Sequence, residues 1–383
     1  MNSSVNKTIS SELCITGTHS FPGPKTIPVT RTFFPEFKDY VQFLEQIWEK
    51  GQITNNGPLC RELEALLKPK IEAPFLSLVA NGTLALQLAI KALDLKGKII
   101  TTPYSYVATT NAILWEGCEP VFVDICPETF CINPDLIEAS ITEDTTAIIA
   151  THVYGYPCDV VKIREIANKH GLKVVYDAAH AYGVKLDGRS LLAYGDCSTL
   201  SFHATKLFHT GEGGAVISSD EHIANRISLM TKFGHTGEDN YLEIGINAKI
   251  SELHAAMGLA VLPHVESIIS ERRQCSLWYD EYLQASKLRR PIQPPRLEYN
   301  YSYYPVIFSD HNSMMEVREK LNEQGIFPRR YFHPSLNTLP FLNSGQRRDC
   351  PVSEDLATRV LSLPLYVGLS SDQIARICQI ITT

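Results

Sequence analysis

Strand-like and helical segments alternate through the first half of this chain. The apolar runs of strand length include "FLSLVA", "KIITT", "PVFVDI", "TAIIATHV" and "LKVVYDAA". Segments with helical spacing separate them, among them "TLALQLAIKAL", "PDLIEASI" and "DVVKIREIANKHG". Because crossovers between such strands are right-handed, the pattern predicts an α/β fold with a mostly parallel sheet covered by helices on both faces. Ligands of such sheets bind beyond the carboxyl ends of the strands.

The length of the chain allows a second domain. Its 383 residues, 44% of them hydrophobic, can form one large core and a smaller one. The alternation weakens where "VESIISERRQCSLWYDEYLQA" begins a long helix. We therefore expect an N-terminal arm over residues 1–25, which are rich in Ser, Thr, Gly and Pro, a large domain over residues 26–265 and a small C-terminal α/β domain over residues 266–383.

Charge and cysteine spacing argue against several classes of function. The net charge is −7 and no basic run is present, so neither nucleic acid nor an anionic membrane is an expected partner. The first residues lack the pattern of a signal peptide and no segment has the length of a membrane span, so we expect a cytoplasmic protein. The ten cysteines include no CxxC pair, and we expect no metal site.

One lysine, Lys206, lies in a polar loop between two predicted strands, in "SFHATKLFHTGEGG". Most lysines are solvated surface charges, but a lysine that is desolvated at a sheet edge can form a Schiff base with an aldehyde. No GxxxxGK[ST] motif precedes Lys206, so a nucleotide phosphate loop is not indicated. Lys206 is therefore the first candidate for a catalytic residue.

Two further segments place polar groups at the ends of strands. Asp177 ends the apolar run of "LKVVYDAAHAYG", where a carboxylate either caps a helix or pairs with a buried cation, and His180 follows three residues later. Gly82 and Thr83 open an amphipathic helix, whose free N–H groups suit a phosphate or simply an ordinary cap. The residues alone leave these alternatives open.

Six motifs occur together in one order: "NGTLAL", "PYSYVATTNAI", "PVFVDI", "YDAAHAYG", "SFHATKLFHTGEGG" and "INAKISELHAAMGL". By these motifs the chain resembles the DegT/DnrJ/StrS group of nucleotide-sugar aminotransferases over nearly its whole length. Two further stretches, "IPVTRTFFP" and "ITNNGP", are most similar to the members that aminate C4 of dTDP-4-keto-6-deoxyglucose. The resemblance implies a fold-type I α/β aminotransferase with pyridoxal 5'-phosphate as cofactor, a nucleotide-linked keto sugar as substrate, L-glutamate as amino donor and a homodimer with shared active sites.

The resemblance also implies roles for individual residues. Lys206 would hold the cofactor covalently and move protons, and Asp177 would keep the pyridine nitrogen protonated, so these two are the predicted catalytic residues. His180 stands where many members have Gln, and its titration would add a pH dependence. The other implied cofactor contacts are Gly82, Thr83 and Ser201 to the phosphate, Tyr106 to the ring, and Asn247 to the phosphate from the neighbouring subunit. The implied substrate contacts are Asn56, Lys249, Arg330, Tyr331 and His333.

The identity of Lys206 also bears on the type of reaction. Relatives that remove a sugar C3 hydroxyl have His at this position, so the resemblance favours transamination over dehydration. The expected product is an amino sugar for a surface polysaccharide such as the O-antigen of lipopolysaccharide. Three alternatives remain: a 3-keto sugar aminotransferase, another pyridoxal phosphate enzyme such as a sugar dehydratase or an amino-acid aminotransferase, and a non-catalytic ligand-binding module.

Overall fold

The computed structural model describes residues 26–383, so the predicted arm over residues 1–25 lies outside the described residues. The strands are β1 (Ile27–Pro28), β2 (Phe75–Val79), β3 (Lys98–Thr101), β4 (Glu119–Phe122), β5 (Thr145–Thr151), β6 (Lys173–Asp177), β7 (Lys185–Leu186), β8 (Arg189–Ser190), β9 (Cys197–Ser201), β10 (Gly214–Ser218), β11 (Leu297–Glu298), β12 (Tyr304–Ile307), β13 (Ile326–Phe327) and β14 (Val360–Leu363). The α-helices are α1 (Phe37–Lys50), α2 (Pro58–Ile71), α3 (Gly82–Ala92), α4 (Ala108–Trp115), α5 (Val160–His170), α6 (Glu221–Met230), α7 (Glu252–Val261), α8 (Val265–Tyr282), α9 (His311–Glu323), α10 (Pro351–Arg359) and α11 (Ser371–Thr382).

Seven strands form the central sheet, in the order β2-β10-β9-β6-β5-β3-β4. The neighbours from β9 to β4 pair in parallel, whereas β10 is antiparallel to both β2 and β9. The carboxyl ends of β2, β6 and β9 therefore meet at one edge of the sheet. Asp177 ends β6 and Ser201 ends β9 at this edge. The predicted mostly parallel α/β sheet is confirmed.

Both faces of the sheet are covered by helices. In β6, Val174 and Tyr176 contact one apolar layer, to which α2, α5 and α7 contribute, and Val175 contacts the other, to which α3, α4 and α6 contribute. Successive side chains of a strand point to opposite faces, so a strand that is buried on both sides needs apolar residues at every position. This is why the strands appear in the sequence as continuous apolar runs.

Buried carboxylates at two helix N-termini tie distant parts of the chain together. Glu252, the first residue of α7, accepts hydrogen bonds of 2.8 and 3.0 Å from two backbone N–H groups in the first turn of α2. Asp124, which follows β4, accepts hydrogen bonds of 2.8 and 2.9 Å from two backbone N–H groups in the first turn of α10. The free N–H groups and the dipole of a helix N-terminus both favour a carboxylate. These contacts fix α2 and α10 relative to the sheet.

The segment "PDLIEASI" does not form the α-helix that its spacing predicted. It forms two short 3₁₀ turns, Pro134–Leu136 and Glu138–Ser140, before the chain becomes extended at Ile141. None of the residues of the second turn is buried. Pro134 and Ile137 are buried, so tertiary packing holds this segment without an α-helix.

The C-terminal part has an apolar cluster of its own. Strands β12 and β14 pair antiparallel, and α8, α9 and α11 pack around them. The first described strand, β1, pairs in parallel with β13, and Ile27 is buried in this C-terminal cluster. The predicted domain boundary near residue 265 stays a prediction, with α8 beginning there. Residues 27–28, which the predicted large domain included, pack against the C-terminal part of the chain.

Within residues 26–383, one helical stretch, Glu252–Tyr282, is long and apolar enough to cross a membrane by length and composition alone. It consists of α7 and α8, joined by a 3₁₀ turn at Leu262–His264. Half of its most apolar window is buried inside the protein, and its α7 part packs against α1 and α2. This burial is typical of a core helix, so the stretch does not show a membrane span.

Candidate active site

Asp177 is a buried carboxylate at the end of β6, with only 6% of the residue exposed. The hydroxyl of Thr109, in the first turn of α4, donates a hydrogen bond to its Oδ2 at 2.6 Å, and the backbone N–H of Ala179 donates to its Oδ1 at 3.2 Å. Burial raises the pKa of Asp177, while the two hydrogen bonds and the positive charge of Lys206 lower it. The carboxylate is therefore fixed in one orientation within reach of a cation.

Lys206 is half-buried in the loop between β9 and β10. Its Nζ donates a hydrogen bond to the hydroxyl of Tyr303 at 3.3 Å and lies 5.9 Å from the centre of that ring. Lys206 lines a small cavity together with His180, Ser201 and Tyr303. Its charge acts on Asp177 and on His180. The structure thus brings the lysine, the carboxylate and the histidine into one site.

His180 is buried beside Lys206, with 5% of the residue exposed. Its Nδ1 accepts a hydrogen bond from the backbone N–H of Tyr154 at 3.2 Å, and its ring stacks on Phe332 with the ring centres 5.7 Å apart. Burial, together with the charge of Lys206, lowers the pKa of His180 well below its usual value. The imidazole is therefore neutral at physiological pH and carries its proton on Nε2. The lowered pKa moves the pH dependence that its titration would add to lower pH, and this pH dependence stays a prediction.

The predicted phosphate-binding residues meet where α3 begins. A Cβ added at Gly82 would lie 2.9 Å from the Cβ of Ser201, so glycine is needed for α3 to approach the end of β9 this closely. The side chain of Asn81 caps the helix, because its Oδ1 accepts a hydrogen bond from the N–H of Leu84 at 2.9 Å. The N–H groups of Gly82 and Thr83 precede the first intrahelical hydrogen bond, and Thr83 is exposed. The helix start is therefore capped, and its first N–H groups are free to bind an anion, so phosphate binding there stays a prediction.

Three of the implied substrate contacts, Arg330, Tyr331 and His333, lie in the stretch "PRRYFHPS" and have different surroundings. Tyr331 packs edge-on against Tyr303, with ring centres 5.8 Å apart, and so reaches the wall beside Lys206. The Nη2 of Arg330 lies 2.9 Å from the Nδ1 of His333 and also donates to two carbonyl groups at the end of α10. The structure places Tyr331 against Tyr303, which bonds Lys206, and ties Arg330 and His333 to α10.

Tyr106 lies two residues before α4 and is 61% exposed. Its ring is not covered by the described part of the chain, as a side chain that stacks on a bound ring requires. The predicted stacking stays a prediction.

Three other predicted residues lie at a second cavity. Asn56 and Lys249 line a cavity of about 520 Å³, and the Nζ of Lys249 donates a hydrogen bond to the Oδ1 of Asn247 at 2.6 Å. Among the described residues, none lines both this cavity and the one at Lys206. Within one chain the structure therefore does not bring this group together with Lys206.

The sequence profile of the DegT/DnrJ/EryC1/StrS aminotransferase family matches residues 36–382. The chain belongs to this family. It is 41% identical over 352 residues to dTDP-4-amino-4,6-dideoxy-D-glucose transaminase from Shigella dysenteriae, with 91% of this chain and 96% of the relative covered. It is 38% identical to the transaminase of the same name from Escherichia coli, with 93% and 98% covered. The crystal structure of DesI in the presence of its TDP-sugar product superposes with a TM-score of 0.89 at 32% identity, with 94% of this chain and 93% of DesI covered.

Membership confirms the predicted family, the predicted fold and the predicted cofactor, so this aminotransferase uses pyridoxal phosphate. The residues of the site fit that cofactor. Lys206 supplies a primary amine for its aldehyde, Asp177 supplies a buried carboxylate for its pyridine nitrogen, and the free N–H groups at the start of α3 can bind its phosphate. The individual contacts stay predictions.

Two residues of the aminotransferase site were missed in the sequence. Thr109 lies inside the quoted motif "PYSYVATTNAI", and Tyr303 lies inside "YSYYPVIFSD". Thr109 could have been suspected, because a hydroxyl near the start of a helix beside a strand end often bonds a carboxylate. Tyr303 could not, because four tyrosines stand between positions 299 and 304 and no pattern tells which one faces the lysine.

We predict that Thr109→Val weakens cofactor binding at acidic pH. Without the Thr109 hydroxyl the pKa of Asp177 rises further, so the carboxylate protonates at a higher pH and no longer pairs with a protonated pyridine nitrogen. The lost hydrogen bond stabilises the ionised carboxylate by about 1.4 kcal/mol. Its loss should therefore raise the pH at which cofactor affinity falls off on the acidic side by about one pH unit. Cofactor affinity measured by absorbance between pH 4 and 8 checks this. Thr109→Ser keeps the hydroxyl and should match the wild type. A wild-type pH dependence of cofactor affinity in Thr109→Val would contradict the role of Thr109.

Proposed function

We propose that this aminotransferase moves an amino group from L-glutamate to C4 of dTDP-4-keto-6-deoxyglucose. The placement of Lys206 beside the buried Asp177 carries the reaction class. The 41% identity over 91% of the chain to a dTDP-4-amino-4,6-dideoxy-D-glucose transaminase supports the sugar and the C4 position. We also propose that the enzyme acts in the cytoplasm and that its product is an amino sugar for a surface polysaccharide such as the O-antigen of lipopolysaccharide.

The residues at the site have distinct roles in this proposal. Pyridoxal phosphate, when bound, supplies an electron sink for the carbon that loses its proton. Asp177 would hold the proton on the pyridine nitrogen, and the hydrogen bond from Thr109 keeps the Oδ2 of Asp177 in place. In the first half-reaction the Nζ of Lys206 would take the proton from the donor carbon and deliver it to the cofactor, and in the second it would move a proton from the cofactor to the sugar carbon. Its hydrogen bond to Tyr303 keeps the free amine directed into the site.

Neutral His180 contributes orientation rather than charge. With its Nδ1 occupied by the backbone of Tyr154, its Nε2 is the only nitrogen that donates a hydrogen bond, so it would donate to the ring hydroxyl of the cofactor. The buried face of Phe332 stacks on the imidazole and excludes water from that side. A glutamine supplies the same N–H donor, which explains how His and Gln exchange at this position.

We also propose a homodimer in which each subunit completes the active site of the other. Asn56, Asn247 and Lys249 lie at a cavity separate from Lys206 in the same chain, so a second copy is needed to bring them to the phosphate and the substrate. The segment before Asn247 also exposes large apolar side chains, a surface that a partner would cover. These are Phe233, Tyr241, Leu242, Ile244 and Ile246, which are 40% to 78% exposed.

Product analysis tests the proposed reaction. We predict that the cofactor-loaded enzyme with L-glutamate converts dTDP-4-keto-6-deoxyglucose to the 4-amino sugar and forms one 2-oxoglutarate for each amine. Lys206→Ala should lower turnover at least about 100-fold, because the proton transfers lose their acid and base. Mass spectrometry and NMR of the sugar nucleotide check both. Amination of a 3-keto sugar nucleotide in preference would move the assignment to C3, and ammonia without 2-oxoglutarate would indicate dehydration.

Mixing two inactive variants tests whether the active sites are shared. Lys206→Ala removes one side of a site, and the double variant Asn247→Ala/Lys249→Ala removes the side supplied by the other subunit. We predict that dissociating and reassociating the two restores about a quarter of wild-type activity, since half of the dimers are mixed and each mixed dimer keeps one intact site. A mixture of Lys206→Ala with Asp177→Asn is the matched control and should stay inactive. Restoration in neither mixture, or in both, would contradict shared sites.

A further inference from the structure

Arg272 on α8 is a buried cation without an acidic partner. Only 5% of the residue is exposed, and no carboxylate in residues 26–383 forms an ion pair with it. Burying a charge without a counter-ion is costly, so such a residue either has a structural task that uses all its donors or awaits a ligand.

Hydrogen bonds to the backbone use only two of the three guanidinium nitrogens of Arg272. Nε donates a hydrogen bond to the carbonyl of Tyr301 at 2.9 Å, and Nη2 donates to the carbonyl of Ser302 at 2.6 Å. Nη1 forms no hydrogen bond within the described part of the chain. Burial lowers the pKa of Arg272 to about 10, so the side chain is still a cation at neutral pH. One charged donor is therefore unused.

A second unpartnered group lines the same space. Arg272 borders a cavity of about 20 Å³, and Thr30 borders it from the other side of the chain. The Oγ1 of Thr30 is buried and has no hydrogen-bond partner within residues 26–383. Buried polar atoms are nearly always bonded, so the unpaired hydroxyl of Thr30, beside an arginine with one unused donor, points to a ligand that accepts from both.

The cavity adjoins the reactive lysine. Thr205, the neighbour of Lys206, lines it, and Tyr303 lines both this cavity and the cavity at Lys206. The volume of the cavity at Arg272 exceeds the roughly 10–15 Å³ that one water needs, but the cavity is too small for a sugar or a diphosphate. A planar carboxylate has the size, the charge and the acceptor pairs for an arginine and a hydroxyl.

We propose that Arg272 and Thr30 form the site that binds a carboxylate of the amino-acid donor while its amino group is at Lys206. Nη1 of Arg272 and Oγ1 of Thr30 each donate to that carboxylate, which carries the counter-charge that the free protein lacks. This inference rests on the proposed transamination from an amino acid. It names two residues that determine which donors are accepted, independently of the sugar.

Binding of an unreactive probe separates this role from activity. Glutarate, a dicarboxylate without an amino group, is titrated into the cofactor-loaded enzyme by calorimetry, and the neutral diamide of glutarate serves as the uncharged control. We expect glutarate to bind and the diamide not to bind. Thr30→Val, which removes a hydroxyl that bonds no described residue, should raise the glutarate Kd about 10-fold, and Arg272→Lys should raise it on the order of 10- to 100-fold.

The matched control is Thr101→Val, because the Oγ1 of Thr101 is also buried without a partner among the described residues, but Thr101 does not line this cavity. Its Kd for glutarate should equal that of the wild type. Wild-type affinity in Thr30→Val, or no glutarate binding to the wild type, overturns the proposal. If Thr30-dependent glutarate binding is present while L-glutamate fails as donor, the carboxylate site stands and only the identity of the donor is wrong.

Discussion

The interaction on which the active site depends is a carboxylate buried beside a lysine. Burial makes the ionised form of Asp177 costly, and the surrounding structure offsets this cost with one hydroxyl, one backbone N–H and one positive charge. These groups come from α4, from the turn after β6 and from the loop between β9 and β10. A parallel sheet brings them together because its strands all end at one edge. The position of Asp177 therefore depends on the sheet, and the expected chemistry depends on Asp177.

The C-terminal part completes the site through backbone contacts. Arg272 holds the carbonyl groups of Tyr301 and Ser302, and the next residue, Tyr303, bonds Lys206. Ser302 donates to the carbonyl of His180 at 3.0 Å, which joins this segment to the turn that follows Asp177. A buried arginine that fixes the backbone therefore places both the tyrosine and the histidine. The same arginine has one donor left, which is what makes it a candidate for binding substrate.

The sequence predicts the sheet well, and it predicts candidate catalytic residues that the structure brings to one edge of that sheet, because both depend on local patterns. Continuous apolar runs predict strands buried on two faces, and a polar residue directly after such a run, as at Asp177, lies at the ligand-binding edge. Contacts between distant segments are not encoded in local spacing. Neither the pairing of Tyr303 with Lys206, 97 residues apart, nor the depressed pKa of His180 can be predicted without knowing what packs against them. Pairing of β1 with β13 is another such long-range contact.

We propose that Lys206 carries the cofactor and that an amino acid transfers its amino group to the cofactor there. The visible absorption spectrum of the purified, dialysed protein, recorded before and after addition of L-glutamate, tests it most directly. We expect a yellow chromophore that is lost when glutamate is added, with release of 2-oxoglutarate, and that is absent from the dialysed Lys206→Ala protein. A protein that stays colourless with added pyridoxal phosphate, or a Lys206→Ala variant with the wild-type spectrum, would contradict the assignment of Lys206.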